Sequence, residues 1–290
     1  MSMNNKLLNG LALLMALAGS LSAAEKLRVV ASFLPVYAHA KSVAGELAEV
    51  KMFLDQDAEP HDYEFKPADI KRLAAADLFI VSGAGVEEWL GEVLKNSGKQ
   101  SLTVVDASKG VPLLKDNPHY WLDPVLAQTQ VENILQALVV ADAKNAAAYR
   151  KNAAAYLEKL RKLDADYHMA FEKLPEKKSP SEKNLVTLHD AFPYLAKRYG
   201  LNYIGSLAPL PEQDPKPADL KALVLAIKKN QIKIIFAENG YSPKLLEEIA
   251  RQSGATVGEL DTLETGAPSA DAYLVRMRAN LAALEKAWKK

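Results

Sequence analysis

The stretch "NAAAYRKNAAAYLEKLRKL", residues 145–163, is built almost wholly from strong helix formers. It lies inside a run from Pro124 to Leu174 that is rich in Ala, Leu, Lys and Glu and contains no glycine and no internal proline. Such a run predicts one long helix with a break near Asp142, able to span a molecule at about 1.5 Å per residue. Apolar heptads are not sustained along it, which argues against a coiled-coil arm. The run reads as a link between two other bodies.

Both flanks carry the same pattern. Before the link, "LRVVASF" (27–33), "AEVKMFL" (48–54), "DLFIVSG" (77–83) and "SLTVVDA" (101–107) are short β-branched runs separated by helical periodicity. After it come "NLVTL" (184–188), "NYIGSL" (202–207), "IKIIFAE" (232–238) and "ATVGEL" (255–260), alternating with helix-like segments such as "PADLKALVLAIKKN". Short apolar runs of this kind predict buried parallel strands joined by crossover helices. The fold class expected is α/β, with two lobes, each a mainly parallel sheet flanked by helices, bridged by one long helix. No sequence repeat accompanies the repeated architecture. The divisions expected are 1–24, 25–123, 124–174 and 175–290, with the polar loop "PEKKSPSEKN" (175–184) opening the last.

Residues 1–24 read as an export signal that is cleaved. Lys6 gives a short positive region, "LLNGLALLMALAG" an apolar segment, and Ser22, Ala23 and Ala24 a small-residue cleavage pattern before Glu25. The apolar run falls short of the roughly 20 residues a membrane span requires. The sequence has no cysteine, so neither a disulfide nor a lipid on an amino-terminal cysteine is expected, and a periplasmic protein without a lipid anchor is. Any metal site must then use nitrogen and oxygen donors. Basic and acidic residues number 36 each, so no overall field favours nucleic acid.

The five histidines sharpen the picture. His61, in "DAEPHDYEFKPADI", follows the second strand and precedes a helix starting near Pro67. His119, in "DNPHYWLDP" (116–124), sits in a stiff loop before Asp123 and Pro124, which suit an N-cap and a first helical position. His189, in "VTLHDAF", directly follows the fifth strand. All three occupy strand-to-helix transitions, where open parallel sheets bind ligands beyond the carboxyl ends of their strands. His39 and His168 have no such setting and read as structural.

Neutral imidazole is a good ligand for borderline divalent ions, and three imidazoles leave one tetrahedral position open. Asp261, at the end of "TVGELDTL", is placed to fill it, although a turn-capping role suits an aspartate there equally. Glu238, ending "IIFAE", competes for that position or serves as an acceptor for the other nitrogen of a ligand histidine.

At these residues the chain resembles the metal-binding proteins of ABC uptake systems for zinc and manganese, and looks most like the periplasmic zinc branch. The matching segments are "PHDYEFKPADI", "NPHYWLDP", "LHDAFPYLAKRYGL" and "IIFAENGYSPKLLEEIARQSGATVGELDTL", in that order, with similarity over nearly the whole mature chain. The resemblance implies two α/β lobes bridged by a long helix, with a metal site in the cleft between them. It places the ligands on His61, His119, His189 and Asp261. It implies a carrier that captures Zn2+ and delivers it to an inner-membrane ABC permease; a non-enzymatic monomer is expected, and whether a periplasmic metallochaperone is a further partner stays open at this point. The loop "SLAPLPEQDPKPAD" (206–219), with four prolines, reads either as a plain connector or as a place for such a chaperone to act. His189 stands where manganese-binding relatives typically carry Glu, and three nitrogens with one oxygen suit Zn2+ better than Mn2+.

One departure concerns the His-rich acidic loop that many zinc-branch relatives carry between the first two ligand motifs. Here that interval holds no histidine, so an auxiliary metal-collecting role has no counterpart. Three rival readings remain: a manganese or iron carrier on the same scaffold, a mononuclear zinc hydrolase with Glu238 as general base, and an adhesion protein with a structural metal.

Overall fold

A computed structural model describes residues 25–99, 101–115, 117–172, 183–208, 216–238 and 244–288. The expected export signal, most of the 175–184 boundary loop and the centre of the 206–219 loop lie outside the described residues.

The first lobe contains β1 (Leu27–Ala31), α1 (Leu34–Ala44), β2 (Ala48–Met52), α2 (Pro67–Ala75), β3 (Leu78–Val81), α3 (Leu90–Ser97) and β4 (Thr103–Asp106). Its four strands are all parallel, in the order β2-β1-β3-β4. The linking run follows as α4 (Pro124–Ala141) and α5 (Ala146–Glu172). The second lobe contains β5 (Asn184–His189), α6 (Pro193–Tyr199), β6 (Asn202–Ala208), α7 (Pro217–Lys229), β7 (Ile234–Glu238), α8 (Lys244–Ser253), β8 (Thr256–Leu260) and α9 (Ala272–Trp288). Its strands are again parallel, in the order β6-β5-β7-β8. The two sheets therefore share one topology.

Position in the sheet explains the strand sequences. A central parallel strand is covered on both faces and must be apolar throughout. The whole of "LFIV" in β3 is buried, and β5 and β7 are nearly so. The edge strand β2 instead alternates, with Glu49 and Lys51 exposed.

The linking run folds as two helices. Asp123 starts α4 as expected, its carboxylate accepting from the backbone N–H groups of Val125 at 2.8 Å and Leu126 at 3.4 Å. At Asp142 the backbone leaves the helical region. The Asp142 carboxylate then accepts from Asn145 and from the Tyr149 hydroxyl, each at 2.7 Å, and so fixes the start of α5. The two helices pack against each other. The 27 residues of α5 extend about 40 Å, packing against α1 of the first lobe and α6 and α9 of the second.

One face of α5 is buried through Tyr149, Ala153, Tyr156, Leu160, Leu163 and Tyr167. Around it a continuous apolar core runs from the first sheet through α4 and α5 to α6, α9, Phe236 and Leu260. Hydrogen bonds reinforce the packing, from Asn152 to Val43 O of α1 at 3.0 Å and from the Tyr167 hydroxyl to Met277 O of α9 at 2.6 Å. A smaller core lies between the second sheet and helices α7 and α8. The two lobes therefore share most of one interior. Among the described residues no helix is long and apolar enough to cross a membrane.

Candidate metal centre

Each of the three singled-out histidines is held by its own local structure. His61 lies in the β2–α2 connection, where the preceding Pro60 carbonyl accepts from the Trp89 indole at 2.9 Å and Trp89 stacks on Phe53. Beyond this loop, Asp69 in the first turn of α2 accepts from the Tyr63 hydroxyl at 2.8 Å and the Lys66 N–H at 2.7 Å, which ties the loop to the helix. His119 precedes a short 3-10 turn, Tyr120–Leu122, whose three side chains are fully buried. His189 is the last residue of β5 and is wholly buried.

Strand register decides the neighbour of His189. In the parallel pairing of β5 with β7, Thr187 lies opposite Phe236, so two residues on, at the same phase of the pleat, His189 reaches Glu238. The Glu238 carboxylate accepts from the His189 backbone N–H at 2.8 Å and from its Nδ1. With Nδ1 engaged, Nε2 is the atom that faces the centre.

There the three imidazoles meet. The Nε2 atom of His119 lies 3.1 Å from Nε2 of His61 and 3.1 Å from Nε2 of His189. The fourth member is Glu264, whose Oε1 is 3.0 Å from His61, 3.1 Å from His119 and 3.8 Å from His189. All four donor atoms lie within 4.8 Å of one another, a grouping that can hold a metal ion. Donors at 2.0–2.2 Å around a tetrahedral zinc stand about 3.4 Å apart, and the five separations above bracket that value.

Asp261, the residue expected in fourth place, is not part of this group. Its Oδ1 accepts from the Leu263 N–H at 2.8 Å, its Oδ2 is 3.3 Å from Nη1 of Arg276, and Asn280 brackets its backbone at 2.8 and 2.7 Å. It closes the turn that delivers Glu264. Leu263 takes a left-handed conformation, with φ +65°, which an apolar γ-branched residue adopts rarely and which no residue in "ELDTLETG" announces. The turn is held from outside: Arg276 donates to Thr265 O at 2.5 Å, the Trp121 indole donates to Thr262 O at 2.8 Å, and the Gly266 N–H donates to Gln56 O at 2.5 Å. Two of these partners belong to the first lobe or its link. Glu264 escaped the sequence reading because distant side chains, and not its neighbours, choose which carboxylate turns inward. Glu238 makes the contact to His189 Nδ1 that the second of its two sequence readings requires.

The charges follow from this enclosure. Burial pushes the Glu264 carboxyl up, but the three imidazoles outweigh it and hold it well below the usual carboxylate range. Burial pushes His119 down to about 4. At His189 burial acts in the same direction, yet the carboxylates of Glu264 and Glu238 prevail and lift it to about 9. His61 is raised for the same reason, chiefly by Glu264 against burial. Positive charge is therefore favoured at a point walled by apolar packing.

Comparison with known proteins converges on one family. Residues 29–287 match the family model described as ZnuA, zinc-uptake complex component A, periplasmic. The high-affinity zinc uptake system protein ZnuA of Bacillus subtilis is 34% identical over 262 residues, which cover 84% of this chain and 80% of that protein. The zinc-binding protein AdcA of Streptococcus pyogenes is 31% identical over 291 residues, covering 89% of this chain but 55% of its own length, so the chain spans about half of that relative. Among solved structures, the SBP FpvC of P. aeruginosa in complex with Ni2+ superimposes with a TM-score of 0.83 at 31% identity, covering 91% of this chain and 97% of FpvC.

Proposed function

Because the chain belongs to the periplasmic zinc-uptake component A family, we propose that it captures Zn2+ between its lobes and delivers it to a membrane ABC permease. The observation that carries this reading is the convergence of three ring nitrogens and one carboxylate oxygen, drawn from positions 61 to 264, within 4.8 Å. In this reading His61, His119, His189 and Glu264 are the ligands, two from the first lobe (25–123) and two from the second (175–290), joined by the 124–174 link. Glu238 orients His189 by accepting from Nδ1, an arrangement that fixes a ligand ring and raises its basicity. Capture clamps the lobes by direct metal bonds, and the shared core limits the movement to a small one.

A carrier fits better than a hydrolase. Catalytic zinc keeps one position open for water, whereas here a carboxylate stands ready to close the tetrahedron. The lack of cysteine supports a periplasmic protein without a lipid on an amino-terminal cysteine.

A second reading, a carrier of another divalent metal, draws on one detail. The other oxygen of Glu264, Oε2, is buried without a hydrogen-bond partner among the described residues. A bidentate Glu264 would offer a fifth donor, which suits Mn2+ or Ni2+ more than Zn2+. Competition between Zn2+ and Mn2+ for the metal-free protein separates the two.

The ligand set is tested by substitution. Structural zinc sites bind with about 10–16 kcal/mol over four ligands, so losing one costs about 2.5–4 kcal/mol, or about 10²- to 10³-fold in affinity. Glu264→Ala and His119→Ala should each show that loss in competitive zinc titration, while Asp261→Asn changes affinity less than about tenfold by the same scale. Loss in Asp261→Asn with retention in Glu264→Ala would return the fourth position to Asp261.

A further inference from the structure

Asn117 touches both sides of the centre without facing it. Its side chain is buried, with 7% of the residue exposed, and it makes four polar contacts. Oδ1 accepts from the His119 backbone N–H at 3.1 Å and lies 3.1 Å from His119 Nδ1. Nδ2 donates to the Asp190 carbonyl at 2.6 Å and lies 3.2 Å from the Asp190 carboxylate. Asp190 directly follows His189, so the amide lies between residues of the two lobes.

Chemistry fixes the orientation of this amide. A backbone N–H only donates, so the atom facing the His119 N–H must be oxygen. A carbonyl and a carboxylate only accept, so the atom facing Asp190 must be the NH2 group. The oxygen can then only accept from His119 Nδ1, which places a proton on Nδ1 and leaves the Nε2 lone pair for a cation. The position is itself anchored from the second lobe: the Tyr194 hydroxyl of α6 donates to the Asn117 carbonyl at 2.7 Å and accepts from the Leu114 N–H at 2.7 Å. Pro118 further restricts Asn117 to extended backbone.

We propose that Asn117 is a positioning residue that couples the lobes at the metal centre: its oxygen holds His119 with Nε2 free for metal, and its NH2 group grips the turn that carries His189. The inference rests on the reading of the centre as a zinc site. It assigns the amide two separable tasks, and aspartate separates them, because a carboxylate still accepts from His119 but cannot donate to Asp190.

The test uses the full chain, with Zn2+ binding and release followed against a chromophoric chelator and Co2+ absorption reporting ligand geometry. Asn117→Ala should weaken zinc binding about 10- to 100-fold, the range for groups that orient a ligand, mainly through faster release. Asn117→Asp should keep the wild-type Co2+ spectrum yet release zinc faster. The double variant Asn117→Asp with Asp190→Asn restores a donor across the side-chain contact alone, not to the Asp190 carbonyl, and should release zinc more slowly than Asn117→Asp but faster than wild type. Should Asn117→Ala fail to fold, the aspartate variant and its double partner decide. Wild-type release in the folded single variants, or a wild-type Co2+ spectrum and release in Asn117→Asp, overturns the proposal. Loss of zinc in His119→Ala beside wild-type release in Asn117→Ala removes only the role of Asn117, whereas unchanged binding in His119→Ala removes the zinc reading itself.

Discussion

At His189 a cation must compete with a proton. Burial disfavours the imidazolium, but Glu264 and Glu238 outweigh it and lift the group to about 9, so below that pH Nε2 carries a proton that metal must displace. Each pH unit of descent then weakens binding by up to about tenfold through this group alone. His61, also raised, adds to the effect, whereas His119, held near 4 by burial, is already neutral. Zinc affinity should therefore rise between pH 6.5 and 8, with proton release that calorimetry in buffers of different ionisation heat detects; equal affinity across that interval would contradict the arrangement. That His61, His119 and His189 would converge was legible in the sequence because each stands at or beyond the carboxyl end of a strand, where open parallel sheets gather ligand-binding loops. Which acid stands beside them was not. Asp261 and Glu264 lie three positions apart, and the choice depends on a left-handed Leu263 and on Arg276, Asn280 and Trp121, contacts made only once the chain has folded.

The helix that begins just after His119 depends on one cap. Asp123 accepts from two otherwise unpaired N–H groups at the start of α4, with Pro124 as the first helical residue. Asp123→Ala should cost about 1 kcal/mol, measured by denaturant unfolding of the metal-free protein; an unchanged midpoint would show the cap to be idle. Caps of this kind are local, which is why this one could be read from "WLDP". The central strands were legible for a related reason: a parallel strand buried on both faces needs an apolar run, and "LFIV" and "IIFA" supply one. The break at Asp142 was also visible. That α4 then packs along α5 was not, since the contact depends on how two apolar stripes match in space.

Across the whole molecule, the shared core predicts cooperative behaviour. Because α5 and α9 contribute to the same interior as the first sheet, the metal-free protein should unfold in one calorimetric transition, and two resolved transitions would show the lobes to be independent. A ligand bound only by the native state stabilises it by about 4 kcal/mol at a thousandfold excess over its dissociation constant. Zinc should accordingly shift that single transition upward as one unit. The turn bearing Glu264 is secured by Arg276 and Asn280 of α9. In the proposed reading, a chain whose last helix has not docked holds its three histidines without the contacts that set Glu264 beside them. Chains truncated before residue 276 would leave the cargo to their finished siblings.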